Sequence, residues 1–357
     1  MATIRPFKAL RYDEDVAGPL ASLVAPPYDV ISDEQRAAYL ARSPHNVVHL
    51  TLPDSEEQAA RDLAAWRESG VLAEDTEPSY WWLSQDYVGP DGVARSREGF
   101  VAALRAEPYA ARVILPHERT HAGPKEGRLR LLRATRTLLE PIFLLWDGSI
   151  AVDGLAAPDL AVEENGVTAR LWRLDAAFGE ALTEEIRDAQ LLIADGHHRY
   201  ETTLAFHLED GSEESAWLMV VIVPTDQEGL TIFPTHRVAA SVNGVHGTPI
   251  DQPDSVRLLE GDLPGLVLYR QGRYELLEGD GLDPEVVERF APQGVTYTPD
   301  AREAVAAVDR GEAEAAFLLR PTRIEDVWQV AGRGDVMPQK STFFYPKLTS
   351  GLLFFPL

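Results

Sequence analysis

The densest group of chemically active side chains is the contiguous run Asp195-Gly196-His197-His198-Arg199. Before it lies an apolar run, Gln190 to Ala194, that reads as a buried strand. After it, Tyr200, Leu204 and Leu208 recur at four-residue spacing, which predicts a helix with one core face. A strand–turn–helix junction aims several backbone N–H groups outward at a helix N-terminus, where the dipole favours an anion. Gly196 permits close backbone approach, and His197, His198 and Arg199 add donors or positive charge. The run therefore suits a phosphate or a carboxylate. Asp195 is a carboxylate at the mouth of that site, able to hold a metal ion or a substrate hydroxyl. The plain structural alternative makes Asp195 a helix cap and the histidines turn residues satisfied by backbone. Adjacent histidines point in different directions, so the pair alone does not form a two-point metal site.

A second cluster is His117-Glu118-Arg119-Thr120-His121, followed by Lys125 and Arg128. Gly123-Pro124 interrupts any helix just after it, so the helical zinc-protease pattern is excluded. Residues 101–140 carry eight Lys or Arg against four Asp or Glu, a local charge of +4 in a chain whose net charge is −24. That reversal marks an anionic-ligand site to which Thr120, Lys125 and Arg128 belong. The alternative is a solvated basic helix bearing Arg128, Arg130, Arg133 and Arg136, which leaves the Glu and Thr of the loop unexplained. Glu118 among cations is expected to stay ionised, as a general base requires. Three weaker segments complete the inventory: the rigid loop Pro26-Pro27-Tyr28-Asp29-Val30, the strand end Pro234-Thr235-His236-Arg237, and Gln339-Lys340-Ser341-Thr342. The last leads into Phe343-Phe344-Tyr345-Pro346-Lys347 and suits a C-terminal flap closing a site.

These residues need positioning elements. Ser32 with Gln35 and Ser55 with Gln58 are capping boxes, opening helices to about Arg42 and to Glu68. Strands are predicted over 79–88, 141–146, 169–174, 190–194, 217–223, 230–238, 266–270, 274–277 and 351–357. Helices are predicted over 97–106, 127–135, 179–189, 200–208 and from Asp300. Residues 241–256 have loop composition. Strands and helices alternate irregularly, which favours α+β over a doubly wound parallel sheet. A length of 357 residues is enough for two or three domains.

Composition removes several function classes. With no cysteine there are no disulfides, thiolate metal sites or cysteine nucleophiles. The acidic surface opposes nucleic acid and anionic membranes as partners. No apolar run spans a bilayer, and the first residues lack the basic-then-apolar signal pattern, so a cytoplasmic location is expected. Neither G-x-x-x-x-G-K-[ST], G-x-G-x-x-G after a strand, nor G-x-S-x-G occurs. Only four of the 33 basic residues are lysine: Lys8, Lys125, Lys340 and Lys347.

PFKALR at 6–11, APPYDVIS at 25–32, LPHERT at 115–120, ADGHHRY at 194–200, FPTHR at 233–237 and MPQKSTFFYPKL at 337–348 stand in one order along the chain. In this the sequence resembles domain-of-unknown-function family 1015. The DGHHR turn is also similar to that of the ParB/sulfiredoxin superfamily. Sulfiredoxin chemistry needs a cysteine and ParB proteins bind DNA, so the branch it looks like is the free-serine kinases. The resemblance implies a ParB/sulfiredoxin-like core over 156–240, flanked by α/β sections over 1–155 and 241–357. It implies phosphoryl transfer from ATP, ADP or pyrophosphate, with Mg2+, to a hydroxyl, foremost that of free L-serine. Gly196, His197, His198 and Arg199 would hold the donor phosphates, with Thr120, Lys125 and Arg128 beside them. Asp195 would bind the hydroxyl or magnesium, Glu118 would be the base, and His117, Lys340, Ser341 and Thr342 would contact substrate. Glu118 lies 77 residues before Asp195, farther than in the kinases. A nucleotide-binding regulator without turnover and a phosphoserine phosphatase remain open alternatives.

Overall fold

The computed structural model describes residues 1–118, 122–152, 154–279, 281–291 and 293–357. A nine-stranded mixed sheet forms its centre, in the spatial order Ile114–Leu115, Leu191–Asp195, Ile142–Trp146, Trp217–Pro224, Ala94–Arg105, Tyr80–Val88, Val167–Leu174, Leu160–Glu164, with Ile4–Arg5 also paired to Ala94–Arg105. Two of its pairings are parallel, Leu191–Asp195 with Ile114–Leu115 and Trp217–Pro224 with Ile142–Trp146. Side chains alternate across it. Trp82, Phe100, Ile142, Leu144, Val220 and Ile222 face one core, which the helix Ala176–Ile186 covers through Leu182 and Ile186. Trp81, Leu83, Val101, Phe143, Met219 and Val221 face the other core, closed by the N-terminal segment and the C-terminal tail.

The expected helix over 97–106 is instead the long strand Ala94–Arg105. Its stretch Phe100 to Leu104 is buried on both faces, so it carries no two-residue alternation, and its alanines imitate a helix. The strand expected over 230–238 is broken into Thr231–Phe233 and His236–Ala239, which join different sheets. Of the loop expected at 241–256, Thr248–Ile250 is a strand and Ser255–Glu260 a helix. The helix after the DGHHR run starts earlier than expected, at His197, and runs to Asp210. Its core side is Tyr200, Thr203 and Phe206, whereas Leu208 is exposed.

A second, antiparallel sheet of six strands spans His236–Ala239 to Ala315–Leu318, with the helices Asp283–Phe290 and Ala301–Asp309 packed on its opposite faces. The expected limit at 155/156 runs through the first sheet, which draws strands from both sides of it. The second sheet starts a few residues before 241. Beyond Arg320 the chain returns to the first body, where Val327 and Ala331 join its core. Met337 bridges to Glu118, Phe343–Tyr345 pairs with Thr231–Phe233, Ser350 with Ala25, Phe354 with Leu10, and Phe355–Pro356 with Thr137–Leu138. The expected terminal strand over 351–357 is thereby reduced to that last short pairing. The architecture is mixed α+β, as the irregular alternation of elements predicts. No helix among the described residues is long and apolar enough to cross a membrane.

Gly99 marks how tightly the central strands pack. A Cβ there would stand 2.5 Å from the Ile222 carbonyl oxygen and 2.8 Å from Val223 Cγ2. Backbone cannot yield as a flexible side chain does, so Gly99→Ala is expected to destabilise the protein by about 1–3 kcal/mol, read from urea denaturation.

Candidate functional site

Near its end the strand Leu191–Asp195 has a bulge at Ala194, after which Asp195 pairs with Phe143. Gly196 follows with φ +96°, a left-handed conformation that an L side chain adopts only with strain, and it serves as the N-cap of His197–Asp210. No side chain caps that helix. Asp195 is therefore not the cap: its Oδ2 accepts from Arg199 Nη2 at 2.6 Å and its Oδ1 from Lys347 Nζ at 2.5 Å. Arg199 also donates to the Pro141 carbonyl. Burial alone would raise the Asp195 pKa, but Lys347 and Arg199 outweigh it and hold the carboxyl well below its usual range.

On the other side of this pair stands Glu118. Its backbone bridges to Met337, and its carboxylate accepts from the backbone N–H of Lys340. Burial raises its pKa, against the lowering by that hydrogen bond and by Lys347 and Lys340. The expectation that the basic loop supplies the cations around Glu118 is thus corrected among the described residues. The nearby cations come from the C-terminal tail, and desolvation prevails over them. Lys125 pairs instead with Glu201 at 2.6 Å. Arg128 donates to the Thr51 carbonyl and lies 4.0 Å over the Tyr28 ring. It meets Arg199 only across a cleft of about 50 Å³, also lined by Glu140, Thr137, Thr202 and Thr203. Thr120 lies outside the described residues.

The histidines behave as buried neutral groups. His117 is fully buried; its Nδ1 bonds to the Ile193 carbonyl at 2.6 Å and its Nε2 meets Thr342 Oγ1 at 2.9 Å. His197 packs edge-on to it at 4.7 Å and accepts the His117 N–H through Nε2. Burial pulls His117 down to about 4, and burial together with His117 pulls His197 well below its ordinary value. The positive charge expected of His197 is absent for that reason. His198 is half-buried on the same helix turn.

The tail segment 337–347 lies over the cluster, where a flap was expected. Lys340 is exposed and contributes its backbone N–H to Glu118. Thr342 reaches His117. Ser341 does not face the site: its hydroxyl donates to the Pro338 carbonyl within the same turn. Three residues went unassigned in the sequence. Lys347 pairs with Asp195, and its membership of a set of four lysines in an arginine-rich chain was the available signal. Arg237 is buried and donates to the carbonyls of Gln339 and Lys340 at 3.1 and 2.9 Å. Arg97 is buried between Phe143 and Pro346. Arg237 stood in the strand-end segment Pro234 to Arg237 without a role assigned to it, and Arg97 had no signal beyond its charge.

Magnesium at Asp195 does not fit this arrangement. Both carboxylate oxygens already accept from cations, and no group of three or more His, Cys, Asp or Glu side chains that could hold a metal ion occurs among the described residues.

What the geometry defines is a buried carboxylate–cation centre at a strand–helix junction of an α+β protein, roofed by its own C-terminal tail. The chain belongs to the DUF1015 family, described as a protein of unknown function, whose model matches residues 4–250. No curated protein matches the sequence. Among solved structures it is similar to a free serine kinase in complex with AMP, at 15% identity over 67% of this chain and 89% of that one, with a TM-score of 0.39. It is also similar to SbnI with C-terminal truncation from Staphylococcus aureus, at 13% identity over 71% and 87%, with a TM-score of 0.42. A conserved hypothetical protein from Pyrococcus furiosus matches at 16% identity over 67% and 92%, with a TM-score of 0.37.

The buried histidines set a pH dependence. Between the ordinary histidine value of 6.5 and about 4, the unfolded chain takes up a proton that folded His117 refuses. Stability therefore falls as pH drops through that window, and His236, also pulled to about 4 by burial, adds to the slope. In His117→Asn the slope is expected to lose up to one proton's share, about 1.4 kcal/mol per pH unit, in urea titrations at stepped pH. An unchanged slope would show that His117 is already protonated in the folded state.

Proposed function

We propose that the protein is a small-metabolite phosphotransferase that moves a phosphoryl group from ATP, ADP or pyrophosphate to a hydroxyl, with free L-serine as the acceptor. The observation that carries this reading is the division of labour between two carboxylates in one cluster. Glu118 is partly buried with a raised pKa, which suits a group that takes a proton from a hydroxyl near neutral pH. Asp195 is held ionised by Lys347 and Arg199, which suits a group that fixes cations and orients a hydroxyl and makes it a poor base.

Phosphoryl transfer asks mainly for positioning and for neutralisation of the transferred charge. The uncapped N–H groups that follow Gly196 supply donors for the phosphates, and Lys347 and Arg199 supply charge beside them. His197 serves this arrangement as a neutral packing partner of His117, and Thr342 as the link from the tail. A magnesium ion held by the donor would supply further charge neutralisation, with no ligand from Asp195. Residues 156–240, which contain this strand–helix junction, are read as the ParB/sulfiredoxin-like core.

The test is phosphoserine formation by mass spectrometry, with L-serine, magnesium and each donor in turn. One donor is expected to give product, and Glu118→Gln to lower the rate about 10²- to 10⁴-fold, the range for a general base. Nucleotide binding without product from any donor would replace this reading with that of a regulator. Phosphate release from phosphoserine without a donor would replace it with that of a phosphatase.

A further inference from the structure

The peptide between Gln339 and Lys340 stands between two charged side chains. Arg237 Nη2 donates to the Gln339 carbonyl at 3.1 Å and to the Lys340 carbonyl at 2.9 Å, while the Lys340 N–H donates to the Glu118 carboxylate. In a planar trans peptide the C=O and the N–H point in opposite directions, so fixing the oxygen also aims the hydrogen. Arg237 is 3% exposed and reaches this peptide from the second sheet. Its guanidinium lies 4.9 Å over the Tyr297 ring, and its Nη1 donates to the Thr235 carbonyl. Thr322 holds the next residue, its hydroxyl donating to the Ser341 carbonyl at 2.7 Å. Three successive carbonyls of the turn are thus pinned from outside the tail.

That restraint has something to act against. Lys340 has φ +54°, a left-handed conformation within a turn that favours glycine and strains a lysine. Turning the Gln339–Lys340 peptide over would bring Lys340 to negative φ and relieve it. It would also present a carbonyl oxygen to Glu118 in place of an N–H. An N–H favours the ionised carboxylate, whereas a carbonyl favours the protonated acid, which cannot act as a base. Lys347, Lys340 and Arg237 act on Glu118 as cations and Asp195 as an anion, but only the peptide N–H gives the carboxylate a direction.

We propose that Arg237 is a positioning residue for Glu118: it pins the Gln339–Lys340 peptide in the orientation that Lys340 itself disfavours, so that an N–H holds the carboxylate in place. The consequence for catalysis, a Glu118 ready to take a proton from a hydroxyl, rests on the phosphotransferase reading. The orientation of the peptide does not.

The chain has four lysines, so labelling with 15N-lysine gives four backbone amide signals, and Lys340→Arg identifies the one from this turn. The measurement needs neither donor nor acceptor. In the native protein the Lys340 amide shift is expected to follow the titration of Glu118, and Glu118→Gln to remove that dependence. In Arg237→Met the Lys340 amide should lose the dependence and exchange with solvent at least about tenfold faster, with the Lys8 and Lys125 amides unchanged. If circular dichroism shows that this variant does not fold, Arg237→Gln, too short to hold both carbonyls, should give the same result. Native exchange and native pH dependence at Lys340 in the folded variant overturn the proposal, as does a native Lys340 amide that never senses Glu118. A moved Glu118 titration without faster exchange also overturns it, because Arg237 would then act by charge alone.

Phosphoryl transfer is read separately. In Arg237→Met the acid limb of its pH profile is expected to move up by about one pH unit, as the ionised carboxylate loses a hydrogen bond. Absence of transfer in the native protein would remove the kinase reading and leave the anchoring of the peptide standing. Transfer with an unmoved acid limb would keep the kinase and overturn the role of Arg237.

Discussion

The ion pair between Lys347 and Asp195 is the contact on which the site depends. It joins residues 152 positions apart, one at the end of a central strand and the other in a tail that has first built much of a second sheet. Asp195 accepts cations on both oxygens, so it fixes the first helical turn through Arg199 and the tail through Lys347 in one buried place. Removing either cation would leave a desolvated charge short of a partner, which costs far more than an exposed ion pair contributes.

The rest of the tail is held by the same logic. Arg237 grips the carbonyls of Gln339 and Lys340, Glu118 accepts the Lys340 N–H, His117 meets Thr342, and Arg97 with Gln85 holds the backbone at Pro346 and Lys347. The segment follows a path of polar anchors while its own Phe344 packs on Phe143. An apolar tail would pack by area alone, with little to fix its register. These directed contacts set which residue stands over which.

Burial acts on each titratable group here in its own direction. It raises Glu118, lowers His117, His197 and Arg97, and fails to raise Asp195 only because two cations oppose it. One desolvated pocket thus holds neutral histidines beside an ionised aspartate, a separation of protonation states that water would not give the same residues.

Local signals carried well. The capping boxes at Ser32 and Ser55, the strands at 80–88, 142–146 and 217–224, and the break at Gly196 all express short-range physics: orphan N–H groups, apolar runs and backbone sterics. Residue type and neighbourhood also singled out the run from Asp195 to Arg199, and Glu118, which the fold brings into one charged cluster. Sequence could not show that Ala94–Arg105 is a strand, because a strand buried on both faces has no period to read. Nor could it show which cations meet which carboxylates. Lys125 and Arg128 are close to Glu118 along the chain, yet they pair elsewhere, while Lys347, Arg237 and Arg97 arrive from distant elements. Local structure follows from neighbours a few residues apart, whereas the partners of a buried charge are chosen by how strands and tail close over it, and only the tertiary fold decides that.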